Sequence, residues 1–265
     1  MSYLDLPRPR VFGHRGASGV APENTLPSFA LATALGADYL ELDVHATRDG
    51  EIVVLHDPLL DRTTNGEGPV HEWRFSDVEA LDAGWHFTHD GRSFPYRGQG
   101  VRVPRLSEVL AAHPGRRFNI EIKQGDPPIV AATLDVLRRA GALDHTLLAA
   151  EHDDIMAAIR AAVGHDVATG MSVGDVFAFV DRLLRDDWSG YTAPGAALQV
   201  PPAHEGIDIV TAASVAAAHR AGLEVHVWTI NDAAEIDRLL DLGVDGVMSD
   251  LPGLVAAAVR RRAAR

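Results

Sequence analysis

RVFGHRGASGVAPENTLPSFALATALGADYLELDV, residues 10–44, reads as strand, glycine-bearing loop, helix and strand. Thr25 is a suitable N-cap for a helix from about Leu26 to Leu35, with Pro27 in its first turn and Gly36 just past its end. Two strands joined by a crossover helix run parallel, so this stretch specifies a βαβ unit. Within its second strand, Tyr39, Glu41, Asp43 and His45 fall on one side, and Leu40, Leu42 and Val44 on the other. Two carboxylates therefore point into the same space. A surface strand carrying solvated acids would read the same way locally, so the rest of the chain has to decide.

Beyond residue 44, Arg48-Asp49-Gly50 predicts a tight turn, and Ile52 to Leu55 a short apolar strand leading into His56-Asp57-Pro58. From residue 117 onward the alternation of strand and helix resumes. Strand starts at about 10, 38, 117, 145, 167, 197, 223 and 245 give eight βα units in 265 residues. That is the arithmetic of one (β/α)8 TIM barrel. A doubly wound open sheet would use fewer strands and usually a glycine fingerprint absent here. The expected domain is 1–265, with residues 59–105 as an insertion after the second strand. It carries Trp73, Phe75, Trp85, Phe87, Phe94 and Tyr96. Most of these rings are expected to form a satellite core, with Trp85 the candidate to line a pocket.

Formal net charge is −13, from 37 acids and 24 bases. Such a chain repels a polyanion, so a nucleic-acid partner is not expected. No run approaches the ~20 apolar residues of a membrane span, and Met1 to Arg10 shows no apolar leader. A cytoplasmic location is the expectation. There is no cysteine, which removes disulfides and thiolate metal sites. Of the 24 bases, 23 are arginine, and the single lysine is Lys123.

In a barrel, side chains at strand C-termini converge on one site. The first strand offers His14 and Arg15, the second Glu41 and Asp43, and its hairpin partner His56. The third offers Glu121 and Lys123, and the seventh His226 and Trp228. Three carboxylates without a thiolate suit Mg²⁺ or Ca²⁺. A divalent cation with Arg15 and Lys123 brings four positive charges against three negative ones, leaving room for a phosphodiester monoanion. Histidines can exchange protons near neutral pH. The bland account makes Glu121 and Lys123 a buried ion pair, which stabilises little net.

GHRGASGVAPENT, ELDVHATRDGEIVVLHDP, NIEIK, VWTIN and GVDGVMSDLP resemble the successive motifs of the glycerophosphodiester phosphodiesterase family, across about Val11 to Pro252. The resemblance implies a TIM barrel that uses a divalent cation to hydrolyse glycerophosphodiesters to sn-glycerol 3-phosphate and an alcohol. It implies Glu41, Asp43 and Glu121 as metal ligands, His14 as acid and His56 as base, and Arg15 and Lys123 on the phosphate. Trp228 stands between barrel packing and contact with the glycerol moiety. Asp57 is expected to cap a turn or orient His56 in preference to binding metal, and Glu23 to partner Arg15. Glu151-His152-Asp153-Asp154 reads as a helix start on an exposed loop, and His45 has no assigned role. One rival is a lyase-type phosphodiesterase that releases a cyclic phosphate. Another is a non-catalytic phosphodiester-binding barrel.

Overall fold

The computed structural model describes residues 2–264; Met1 and Arg265, the two ends of the expected domain, lie outside them. The strands are β1 (Arg10–Gly13), β2 (Tyr39–Ala46), β3 (Ile52–Val54), β4 (Arg117–Ile122), β5 (Thr146–Ala149), β6 (Ala168–Thr169), β7 (Ala197–Val200), β8 (Ala203–His204), β9 (Ile207–Asp208), β10 (Glu224–Val227) and β11 (Gly246–Ser249). The helices are α1 (Leu26–Ala34), α2 (Phe75–Val78), α3 (Leu106–Ala112), α4 (Val130–Ala140), α5 (Asp153–Val163), α6 (Val173–Arg185), α7 (Ala212–Arg220), α8 (Ala233–Leu242) and α9 (Pro252–Ala263).

Eight strands lie in the order β6-β5-β4-β2-β1-β11-β10-β7. Their ladders are parallel. Between β6 and β7 the barrel closes through Ala196 N–H donating to the Thr169 carbonyl at 2.7 Å. Gly195 permits that approach, because a Cβ there would come within 2.5 Å of the Gly170 carbonyl oxygen. The fold is a (β/α)8 barrel, as the unit count predicts.

Alternation along β2 divides its side chains as expected. Leu40, Leu42 and Val44 are fully buried in the main core with helix residues such as Phe29 and Leu134. Tyr39 faces inward, packed with Tyr3, Phe12 and Met248. Capping sets the helix starts: Thr25 and Ser172 accept from backbone N–H groups of their first turns, as Thr211 and Asp232 do.

The floor of the barrel is polar. Arg10 is fully buried and binds both Glu224 carboxylate oxygens at 2.6 and 2.7 Å, the Tyr39 hydroxyl at 2.6 Å and two carbonyls of the N-terminal segment. His226 belongs to this layer and not to the mouth, contrary to the sequence expectation. It is fully buried, with Nε2 3.0 Å from Glu224 and its ring 4.8 Å from that of Phe12. β10 ends at Val227, one residue above it, so only Trp228 reaches the rim.

The insertion leaves after β3, which pairs antiparallel with β2. It folds on a small core of its own, where Leu60, Val70, Phe75 and Val78 are buried and Trp73 and Tyr96 pack against them. Trp85 is covered by the Arg97 guanidinium, 4.4 Å from its ring centre. The hairpin β8–β9 has no counterpart in the sequence reading. Its turn takes positive φ at Glu205 and Gly206, and no apolar alternation marks its two-residue strands.

Candidate active site

The HRG loop after β1 is built around left-handed backbone. Gly16 has φ +87°, and a Cβ there would sit 2.3 Å from Ser28 Oγ, so the position demands glycine. Arg15 and Asn24 adopt φ 51° and 57° despite carrying side chains. Such conformations persist where the surroundings impose them and gather at functional sites. Both serve the carboxylates: the Arg15 N–H donates to Glu41 at 2.8 Å, and the Asn24 amide donates to Asp43 at 2.9 Å.

Glu41, Asp43 and Glu121 offer oxygens lying within 4.8 Å of one another. The register explains why, since Asp43 stands directly opposite Glu121 across the β2–β4 ladder. Burial pushes the Glu41 pKa up and Asp43 adds to it; Glu121 is raised for the same two reasons. A hard divalent cation would relieve that repulsion, and an all-oxygen donor set suits one. The residues therefore fit the implied metal.

Cationic side chains flank the cluster. Lys123 Nζ donates to Glu121 at 2.9 Å and lies 3.9 Å from Asp43. Burial works against its charge, but Glu121 and Asp43 outweigh that and raise its pKa. Arg15 Nε is 3.4 Å from Asp43, and its Nη1 is 3.0 Å from Glu23.

The two histidines are held alike, on opposite sides of the cluster. His14 Nδ1 is 2.7 Å from Asp250, beside β1 and β11; His56 Nδ1 is 2.6 Å from Asp57, beside β2 and β4. In each pair the carboxylate fixes Nδ1 and leaves Nε2 to exchange a proton. Asp250 also accepts from Ser18 and Asn231, at 2.6 Å each, and its pKa is held at about 2: burial opposes the charge, but His14 and Ser18 outweigh it. Asp57 is held at about 2 in the same way, by Arg62 and His56 against burial. Arg62 grips both Asp57 and Glu23, so one ionic chain runs Asp57–Arg62–Glu23–Arg15–Asp43 across the mouth. His45 has a structural role: its Nε2 is 3.0 Å from the His56 carbonyl and holds the turn that carries His56.

The seven polar residues named by the resemblance thus converge, whereas His226 does not. Trp228 stands at the end of β10, on the His14 side of the mouth, and is 40% exposed. A cavity of about 260 Å³ opens on the other side, lined by His56, Glu121, Lys123, Glu151 and His152 among others. Trp85 is not among its lining residues, whereas Glu151 and His152, read from sequence as an exposed helix start, are. Asp250, Asn231, Ser18 and Arg62 received no role from the sequence. The first three lie within the quoted motifs GVDGVMSDLP, VWTIN and GHRGASGVAPENT, which was the available signal.

Comparison with known proteins points to one family. The model of the glycerophosphoryl diester phosphodiesterase family matches residues 14–254. A glycerophosphodiester phosphodiesterase of Bacillus subtilis is 32% identical over 250 residues, covering 91% of this chain and 83% of that protein. One from Caldanaerobacter subterraneus is 29% identical over 256 residues, 95% of this chain and 98% of that one. Among solved structures, an Oleispira antarctica phosphodiesterase in complex with the product sn-glycerol-3-phosphate superposes with a TM-score of 0.79 at 29% identity, over 96% of this chain and 97% of that one. Ordered motifs, closed barrel and convergent acid–base site lead to one assignment: the chain belongs to the glycerophosphoryl diester phosphodiesterase family.

Proposed function

We propose that this chain is a single catalytic domain that hydrolyses glycerophosphodiesters to sn-glycerol 3-phosphate and an alcohol, with Mg²⁺ or Ca²⁺ held by Glu41, Asp43 and Glu121. The observation that carries the reading is the pair of carboxylate-bound histidines flanking an all-oxygen cluster. The bound cation would supply Lewis acidity toward the phosphoryl oxygens. Arg15 and Lys123 orient the diester and offset the charge that develops on phosphorus oxygens, usually the largest contribution in such sites.

His56, with Nδ1 anchored on Asp57, accepts the proton of the attacking hydroxyl at Nε2. His14 then protonates the departing alcohol oxygen; with the glycerol 2-hydroxyl as attacker this leaves a cyclic phosphate, which water opens to sn-glycerol 3-phosphate as His14 takes the water's proton and His56 returns one to the 2-oxygen. The setting of His14 supports that order: burial pulls its pKa down, but Asp250 and Glu41 outweigh it and favour the protonated form. Phosphorus NMR of glycerophosphocholine incubated with the enzyme and each metal is the test. A single resonance of sn-glycerol 3-phosphate is expected. A cyclic phosphate that persists would assign the lyase reaction instead, and an unchanged diester would leave only binding.

A further inference from the structure

The cavity beside His56 has a wall the reaction above does not use. Glu151 follows β5 at its C-terminal end, and its backbone is fixed by the Val173 N–H donating to its carbonyl at 3.0 Å. Glu151 lines the same cavity as His56, Glu121 and Lys123. Among the described residues it makes no ion pair of 4.0 Å or less and no side-chain hydrogen bond, although Lys123 stands in its field. Lys123 is already committed to Glu121 at 2.9 Å. An ionised carboxylate accepts hydrogen bonds and cannot donate them, so a ligand in this cavity meets an acceptor at this wall.

Which half of the diester lies there follows from the two histidines, and the inference rests on that reading. An in-line displacement puts attacking and leaving oxygens on opposite sides of phosphorus. The leaving alcohol goes with His14, toward the β1–β11 side and Trp228. The half bearing the hydroxyl that His56 deprotonates goes with His56, into the cavity lined by Glu151. For a glycerophosphodiester that half is glycerol. Its middle hydroxyl is the one His56 addresses, which leaves the terminal hydroxyl as a donor pointing deeper into the cavity. About 260 Å³ is enough for a three-carbon polyol.

We propose that Glu151 determines specificity for the glycerol half by accepting a hydrogen bond from its free terminal hydroxyl. The chain thereby selects fully deacylated diesters over lysophospholipids and over diesters of propane-1,2-diol. Because Glu151 is exposed, the selectivity is modest beside that of buried polar sites; about tenfold in kcat/KM is expected.

The test compares glycerophosphocholine with propane-1,2-diol 1-phosphocholine, which keeps the attacking hydroxyl and lacks the terminal one. Kinetics are measured on the parent, Glu151→Ala and Glu151→Gln. The parent is expected to favour glycerophosphocholine about tenfold. Glu151→Ala should lose that preference through a higher KM for glycerophosphocholine, with kcat little changed and the analogue unaffected. Glu151→Gln, which keeps an acceptor oxygen, should regain part of it. A general structural defect would lower both substrates together. Retention of the terminal-hydroxyl preference in Glu151→Ala would overturn the inference while leaving the phosphodiesterase reading intact. A change in choline-versus-glycerol headgroup preference instead would put the leaving alcohol in the cavity and overturn it as well. A parent that turns over neither substrate would defeat the phosphodiesterase reading itself.

Discussion

At the residue scale, His14 and His56 are related by chemistry and not by sequence. Each gives Nδ1 to a carboxylate, at 2.7 and 2.6 Å, but Asp57 is the next residue to His56 while Asp250 lies 236 positions from His14. Replacing either histidine by alanine should slow turnover roughly 10²–10⁴-fold, the usual contribution of a positioned proton carrier. Steady-state rates within tenfold of the parent for both variants would count against their roles. The Asp250 partnership makes a separate prediction about pH. In the proposed role His14 has to be protonated to act, so activity is expected to fall as pH rises through its pKa, which Asp250 helps raise. Asp250→Asn should move that alkaline limb of the kcat profile to lower pH as well as reduce kcat; a limb that stays in place would contradict the assignment. The seven polar residues were legible because strand alternation puts residues i and i+2 on one face, and acids there have few other uses. Asp250 and Arg62 were not, because contacts outside the strands, Asp250 to His14 and Arg62 to Asp57 and Glu23, give them their roles, and alternation does not encode those. His226 was misplaced because the end of β10 decides whether it meets the mouth or the floor, and a run of β-formers does not mark that end.

The insertion between β3 and α3 is the element on which the His56 turn depends. Its core draws on Val53 and Leu55 of the catalytic hairpin together with Leu60, Val70 and Phe75, so loop and hairpin share one packing unit. Leu60 is fully buried there, and Leu60→Ala should cost about 2–5 kcal/mol locally. Hydrogen exchange should show amides of residues 59–105 opening faster while β1, β4 and β11 keep their protection. Equal loss of protection in both would mean that the insertion and barrel unfold as one unit. Its place in the chain was legible because glycines break the rhythm of βα units. Its internal shape was not, since Trp85 and the other rings can pack in many ways and only tertiary contacts choose. The β8–β9 hairpin escaped notice for a related reason: strands of two residues are too short to show a period.

Across the whole molecule, the barrel separates a functional mouth from a structural floor, and both carry buried charge. On the floor, burial works against ionised Glu224, but Arg10 and His226 outweigh it and hold its pKa at about 2 against an ordinary 4.5. A depressed carboxylate contributes its stability above the unfolded pKa and loses it as pH falls toward the folded one. The window is therefore about pH 4.5 down to 2, and linkage sets the size on the order of 3 kcal/mol. Urea midpoints measured between pH 5 and 2.5 should fall more steeply for the parent than for Glu224→Gln; parallel slopes would contradict the coupling. At the mouth, the clustered carboxylates make a different demand, because Glu41, Asp43 and Glu121 repel one another without a cation. Turnover of glycerophosphocholine after removal and restoration of metal examines that demand most directly. The account predicts that chelation abolishes activity, that Mg²⁺ or Ca²⁺ restores it, and that Asp43→Asn resists restoration. Undiminished turnover by the chelated enzyme would contradict it.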